Sequence, residues 1–244
     1  MDTEEIQPSL RSIRSVGELL AELKQQREGE QWFRGHRDAS WLLLPSAFRD
    51  PDVKKKEAEL IARFRQQAAI EGVRYGLDSW GWLTFAQHHG VPTRLLDWSE
   101  NPLVGMFFAI EESHDGRTED GMFITLNPYR LNEEAGDSGN TIRLLLDTDD
   151  DINSYYPGRT GLGSPPRAVL APMSFDRIRY QTGMFTVSTP NNGKDLAASG
   201  AITQYIIPYS AKAELRHELS CLGVNEATIY RDLDRVARRI KELA

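Results

Sequence analysis

The stretch QHHGVPTRLLDWSENPLVGMFFA, Gln87–Ala109, carries the densest local signals in this chain. Trp80–His89 predicts a helix, and Gly90 is its natural C-terminal stop. Pro92 keeps the backbone extended, so Thr93–Trp98 reads as a strand. Ser99-Glu100-Asn101-Pro102 then opens a second helix, with Ser or Asn as cap and Pro in the first turn. Leu103–Ile110 is mostly apolar, so that helix is expected to be buried on most sides. The result is a strand held between two helices, with polar side chains concentrated in an apolar neighbourhood.

Upstream, Ser15-Val16-Gly17-Glu18 has the form of a capping box. Leu19, Leu20 and Leu23 follow at helical spacing, and the helix is expected to end near Gly29. Gln31–His36 is a short strand closed by the polar run Arg37-Asp38-Ala39-Ser40. Trp41–Leu44 reads as a further strand stopped by Pro45. Val53–Val73 sets Leu60, Ile61, Phe64, Ala68 and Ile70 among charged residues, which predicts a long amphipathic helix.

Downstream, Gly121–Leu126, Ala168–Met173, Met184–Val187 and Ile202–Ile207 read as strands. Tyr209–Leu222 and Asn225–Leu243 read as helices parted by Gly223. Residues 127–167 contain the acidic run Asp147–Asp151 and the Gly- and Pro-rich run Gly158–Pro166, and are expected to be an insertion or lid. Helices at both ends and short strands between predict an α+β fold with mixed or antiparallel sheets.

The chain has 244 residues, 40% hydrophobic and 27% charged, which fits a globular protein with its own core. A net charge of −7 argues against coating duplex nucleic acid, but not against one basic cleft. The single cysteine, Cys221, excludes an internal disulfide. No run approaches 18 apolar residues, and MDTEEIQPSL is too acidic for a signal peptide. These features predict a cytoplasmic protein without membrane contact. No GxGxxG or GxxxxGK[ST] sequence occurs, so nucleotide binding by a Rossmann or P-loop route is unsupported.

Three constellations carry candidate chemistry. In Trp32-Phe33-Arg34-Gly35-His36, strand alternation puts Phe33 and Arg34 on opposite faces. Arg34 offers a planar fork for phosphate or carboxylate, or it pairs with a core aspartate. Gly35 lets a ligand or another backbone come close. In Gln87–Ser99, Arg94 and Asp97 either pair with each other or serve a ligand. His88 and His89 point about 100° apart on a helix, so they cannot share one metal. With one cysteine and scattered histidines, no metal site is expected. In Arg177–Phe185, Gln181 stands two residues before Gly183 and either presents its amide to a ligand hydroxyl or stabilises a turn.

Taken together, Trp32–His36, Trp41–Arg49, Gln87–Ala109 and Arg177–Phe185 resemble the FRG-domain family, named for the Phe-Arg-Gly seen here as Phe33-Arg34-Gly35. The likeness spans about residues 20–190. It implies an FRG domain over 1–208, with the 127–167 insertion, and a C-terminal helical extension over 209–244 packed against it. Family membership does not name an activity.

A more remote resemblance is to the ADP-ribosyltransferase superfamily, whose signature is Arg–Ser–Glu or His–Tyr–Glu. Arg34 would match the first position. Ser99, leading into the helix with Phe107, Phe108 and Ala109, would match the second, and Gln181 the third. This resemblance implies an ADP-ribosyltransferase-like fold and NAD as co-substrate, with Arg34 at its phosphates and Ser99 at the nicotinamide ribose. Trp98 or Phe33 would stack on a ring. Gly35, His36, His88, His89, Thr93 and Arg94 would complete the binding surface. Gln181 departs from the usual glutamate: it can hydrogen-bond a ribose hydroxyl but supplies no charge. Asp97 or His89 would then supply the missing function. The expected function is a toxin or anti-phage effector that modifies RNA or protein, with an antitoxin or chaperone as partner. The alternatives are a nucleotide-binding module without turnover and a protein-interaction domain.

Overall fold

The structure, a computed structural model, describes residues 10–26, 29–73, 76–113, 115–138, 141–159, 163–171, 183–192 and 195–230. Two small sheets organise it. The first comprises β1 (Trp32–His36), β3 (Gly121–Leu126) and β7 (Ile202–Ile207), all antiparallel, in the order β1-β3-β7. The second comprises β2 (Leu95–Trp98), β6 (Met184–Val187), β5 (Arg167–Leu170) and β4 (Arg143–Leu144), in the order β2-β6-β5-β4. Only the short β4–β5 pair is parallel. The chain is therefore α+β with small, mainly antiparallel sheets.

The two sheets meet at one point. Phe33 N–H donates to the Ser99 carbonyl at 2.7 Å, and Ser99 N–H returns to the Phe33 carbonyl at 2.9 Å. This reciprocal pair zips the middle of β1 to the residue just past β2. It also brings Arg34, one residue past Phe33, beside Asp97, two residues before Ser99.

The helix α4 (Pro102–Ala109) lies on the first sheet without an intervening layer of side chains. Asn101 caps it by accepting from Leu103 N–H at 2.9 Å, and Pro102 occupies its first turn. A Cβ built on Gly35 would fall 2.1 Å from the Gly105 carbonyl oxygen, and one on Gly121 would fall 1.9 Å from that of Ala109. So the close approach that Gly35 permits is that of another backbone. Phe33, Phe107 and Phe123 close the core around this contact with α1 (Val16–Gln25) and α7 (Tyr209–Cys221).

The N-terminal capping box is half realised. Ser15 Oγ accepts from Glu18 N–H at 3.1 Å, but the Glu18 carboxylate takes Arg14 N–H rather than that of Ser15. On the second sheet pack α2 (Pro51–Ile70), α3 (Ser79–His88) and α6 (Asp150–Asn153). Trp80, Leu83, Ile152 and Tyr155 are buried there.

Several expectations need correction. Trp41–Leu44 is not a strand. Trp41 and Leu42 are exposed, and Leu43 is held by the Asp195 carboxylate and Leu196 N–H, which leads into a 3-10 turn at Ser46–Phe48. Residues 127–167, expected as an insertion or lid, also contribute to the core. Helix α5 (Pro128–Glu134) buries Asn132, whose side chain bonds both Ala168 N–H and the Ala168 carbonyl, the pattern of a missing strand neighbour for β5. Leu131, Leu145, Ile152 and Tyr155 from this region are core residues. The end of the expected strand Ala168–Met173 lies outside the described residues, as does most of the expected helix Asn225–Leu243. Of the latter, α8 (Glu226–Tyr230) is described, with Asn225 accepting from Ala227 and Thr228 N–H.

Candidate functional site

On β1, Trp32, Arg34 and His36 share the face opposite Phe33 and Gly35. The Arg34 guanidinium is spread across two neighbours. Its Nε–H donates to His36 Nε2 at 3.2 Å, and its Nη1–H donates to the Asp97 carbonyl at 2.6 Å. The Asp97 carboxylate lies 3.9 Å from Nη1, too far for a hydrogen bond but close enough for attraction. The Arg34 side chain is 19% exposed and that of Asp97 58%. A charged fork thus stands at the mouth of the junction between the sheets, and its Nη2 donors have no partner among the described residues.

Burial and opposing charges set the electrostatics. Desolvation lowers the Arg34 pKa, Asp97 acts to raise it, and Arg49 lowers it further. His36 is pushed down to about 3, first by burial and then by the positive charges of Arg34 and Arg49. At neutral pH the imidazole is therefore uncharged. Because Nε2 accepts from Arg34, the ring proton sits on Nδ1. Burial also lowers Arg49, whose Nε–H donates to the Leu44 carbonyl at 3.0 Å.

Behind Asp97 stands a polar brace. Gln87, at the end of α3, donates through Nε2 to Asp97 Oδ1 at 2.7 Å. The buried Thr93 hydroxyl donates to Gln87 Oε1, which fixes the amide orientation, and also accepts from Leu95 N–H at 3.3 Å. Thr93 N–H in turn donates to Ser46 Oγ at 3.1 Å. Two residues on from Asp97, the Ser99 hydroxyl accepts from Asn101 N–H at 3.1 Å, and so helps open α4.

The expected site residues therefore divide. Arg34, His36 and Asp97 come together, with Thr93 supporting from behind, while Ser99 joins them through its backbone pairing with Phe33. Arg94 does not pair with Asp97 and does not face a ligand. Its guanidinium points inward, with Nη2 on Glu57 at 2.6 Å and Nε on both Glu57 oxygens at 3.0 and 3.1 Å. Its Nη1 reaches the Tyr155 carbonyl. Trp98 and Phe33 are buried, Trp98 donating to Thr186 Oγ1 at 3.1 Å and Phe33 stacked on Phe123, so neither ring is open for stacking. Gly35 lies against α4. His89 packs on Phe85 and Phe64, with ring centres 4.6 and 5.7 Å apart, away from Asp97. His88 is partly buried one position earlier on the turn. Gln181, Arg177 and Arg179 lie outside the described residues. Trp98 pairs with Met184, so β6 starts at the Ser99 end of β2.

Three residues at the site were not assigned from sequence. Gln87 has no predicted role, although a polar residue that follows Phe85-Ala86 at the end of a largely apolar helix is a usable signal. Arg49 and Trp41 belong to a stretch whose strand pattern was wrong, so their proximity to Arg34 was not legible. Among the described residues, no three His, Cys, Asp or Glu side chains converge as a metal site would require. No described helix is long and apolar enough to cross a membrane.

Comparison with known proteins places the junction in context. No curated protein and no solved structure matches the chain. The FRG domain family does match, over residues 29–118, a span that contains β1, β2, α4, Arg34, Gln87, Asp97 and Ser99. The chain carries an FRG domain, and the junction of its two sheets lies within it.

Proposed function

We propose that the β1–β2 junction holds a nucleotide by its phosphates, and that the chain is an ADP-ribosyltransferase-like protein acting on NAD. The observation that carries this reading is the pairing of Arg34 with the Ser99–Asp97 segment through the Phe33–Ser99 backbone bridge. It puts a guanidinium whose Nη2 has no partner among the described residues beside an exposed carboxylate, with the Ser99 backbone next to both. Arg34 would accept the pyrophosphate bidentately through its unused edge. Ser99 would meet the nicotinamide ribose.

Asp97 is suited to the role that Gln181 cannot fill. As the ribose C1′–N bond breaks, nicotinamide leaves with the electron pair and positive charge develops on the sugar. A fixed carboxylate stabilises that charge. The acceptor nucleophile then bonds to C1′ and gives up its proton to Asp97 or to water. Gln87 and Thr93 would hold the carboxylate in place. The acceptor would be RNA or protein, in the manner of a toxin or anti-phage effector, with an antitoxin or chaperone restraining it.

One sequence feature favours a second reading, binding without turnover: the neutral amide of Gln181 in place of an acid. NAD labelled in both its nicotinamide and its adenylate halves separates the two. Release of nicotinamide with label fixed to RNA or protein, lost in Arg34→Ala and Asp97→Asn, supports transfer. Neither event, with cell extract present as acceptor, ends the transferase reading. NAD protection against thermal unfolding that vanishes in Arg34→Ala would then leave the binding module.

A further inference from the structure

Most described arginines of this acidic chain face a carboxylate, as Arg94 does Glu57, Arg117 does Asp115 and Arg143 does Asp149. Beside Arg34 the pattern breaks. Arg49 makes no ion pair among the described residues; its Nε–H goes to a carbonyl. Arg37 makes none either, and its guanidinium carbon lies over the Trp41 ring, 5.0 Å from the ring centre. Arg34 and Arg49 both stand close enough to His36 to depress its pKa, and Arg37 lies across the Trp41 ring, in a protein of net charge −7.

The aromatic at that place is unusual too. The chain has five tryptophans. Trp32, Trp80, Trp82 and Trp98 are buried, while Trp41 is 41% exposed and is followed by the exposed Leu42. Trp41 packs near His36, ring centres 6.1 Å apart, and His36 is the ring that accepts from Arg34. One imidazole therefore separates an open indole from a guanidinium with free donors. Arg37 backs the indole and lends it positive character, which suits stacking on an electron-rich base.

We infer that Trp41, backed by Arg37, is the platform on which the adenine of a small nucleotide stacks, with that nucleotide's phosphates between Arg34 and Arg49. The assignment rests on the reading of the junction as a nucleotide site and gives the ligand a direction. A nicotinamide ring carries positive charge, and three guanidiniums repel it. It belongs at the other end, beside the Asp97 carboxylate. Neutral adenine suffers no such repulsion. A long nucleic acid strand is the less suited occupant, because strand binding draws on an extended basic track that the overall charge does not provide.

The single exposed indole gives the test its signal. The full-length protein is titrated with AMP, nicotinamide mononucleotide, NAD and single-stranded oligoadenylate, following tryptophan fluorescence and calorimetry. AMP and NAD are expected to quench emission, nicotinamide mononucleotide to bind more weakly than AMP, and quenching to disappear in Trp41→Phe while its affinity stays within about threefold. Trp41→Ala should weaken NAD and AMP by about tenfold or more, the usual worth of one stacked base. A melting curve like that of the wild type confirms the fold; Trp41→Phe serves if it does not. An NAD affinity unchanged in Trp41→Ala but lost in Arg34→Gln overturns the platform and leaves the phosphate site standing. Oligoadenylate binding far tighter than AMP, with the same dependence on Trp41, overturns the choice of a small nucleotide. No binding of any probe by the wild type removes both this inference and the nucleotide reading beneath it.

Discussion

Arg34 and Arg94 look alike in the sequence, each a lone arginine beside hydrophobic residues on an expected strand, yet the two regions they occupy are opposites. Arg94 is buried against Glu57 with every donor group engaged by a carboxylate or a carbonyl. Arg34 leans on a neutral histidine and a backbone carbonyl, keeps a carboxylate at 3.9 Å and, among the described residues, has donors on Nη2 without a partner. The first arrangement holds α2 to the start of β2. The second has donors to spare for a ligand. The difference teaches that an arginine is sorted by how its donors are spent, not by the letters around it.

That contrast can be broken most sharply at its structural end. Arg94→Ala or Glu57→Ala leaves a buried charge without its partner and should cost about 3–5 kcal/mol of stability, read by urea denaturation. Replacing both with apolar residues of similar size should recover most of the loss. If either single variant is as stable as the wild type, the pair is not the brace described here.

Gly35→Ala comes next. Its Cβ would meet the Gly105 carbonyl and the Ala109 nitrogen at 2.1 and 2.3 Å, so α4 must lift off the sheet. We expect a loss of about 3 kcal/mol, as for overpacking without room to relax. A stable Gly35→Ala that loses only ligand binding would move Gly35 from the structural side of the contrast to the functional one.

His36 supplies a pH prediction. Its folded pKa, about 3, lies below the usual histidine value of 6.5. The unfolded chain therefore takes up the proton first as pH falls, and the stability held above about pH 6.5 is lost progressively toward pH 3. By pH 4.5 the loss should be about 2.7 kcal/mol. His36→Asn should flatten that part of the stability profile. A profile that the substitution leaves unchanged would mean that His36 is not held neutral beside Arg34.

The smallest effect on stability is expected at Arg34 itself. Arg34→Gln removes a hydrogen-bonded but ligand-ready fork, and unfolding should change by about 1 kcal/mol or less. Nucleotide-dependent thermal protection should nevertheless disappear. A severe loss of stability in Arg34→Gln would make the two arginines equivalent after all.

Much of the local structure was legible. Gly90, Pro92, Asn101 and Pro102 punctuate Gln87–Ala109 as their backbone preferences require, and Gly121–Leu126, Met184–Val187 and Ile202–Ile207 are strands as their apolar, β-branched runs suggest. Trp41–Leu44 failed because its apolar run is divided between solvent and core, with no neighbouring strand to complete a ladder. In residues 127–167 Gly, Pro and Asp suggest an excursion and hide the packing by which Asn132 stitches the segment to β5. Within the site, Arg34 and Asp97 could be named from their residue types, and Ser99 only through the remote resemblance. Glu57 could not be named as the partner of Arg94, since it lies 37 positions away on a helix that shows no sign of a buried acid.

The sequence by itself determined where many of the helices and strands begin and end, and which side chains can hold a phosphate, because caps, proline, glycine and apolar spacing act over a few residues. Only the tertiary structure decided which arginine is sealed inside and which stays open, and that Gly35 faces a helix rather than a ligand. Those outcomes depend on which distant segment arrives to desolvate and pair a given group. That is fixed when Phe33 and Ser99 exchange their backbone hydrogen bonds and the two sheets are joined.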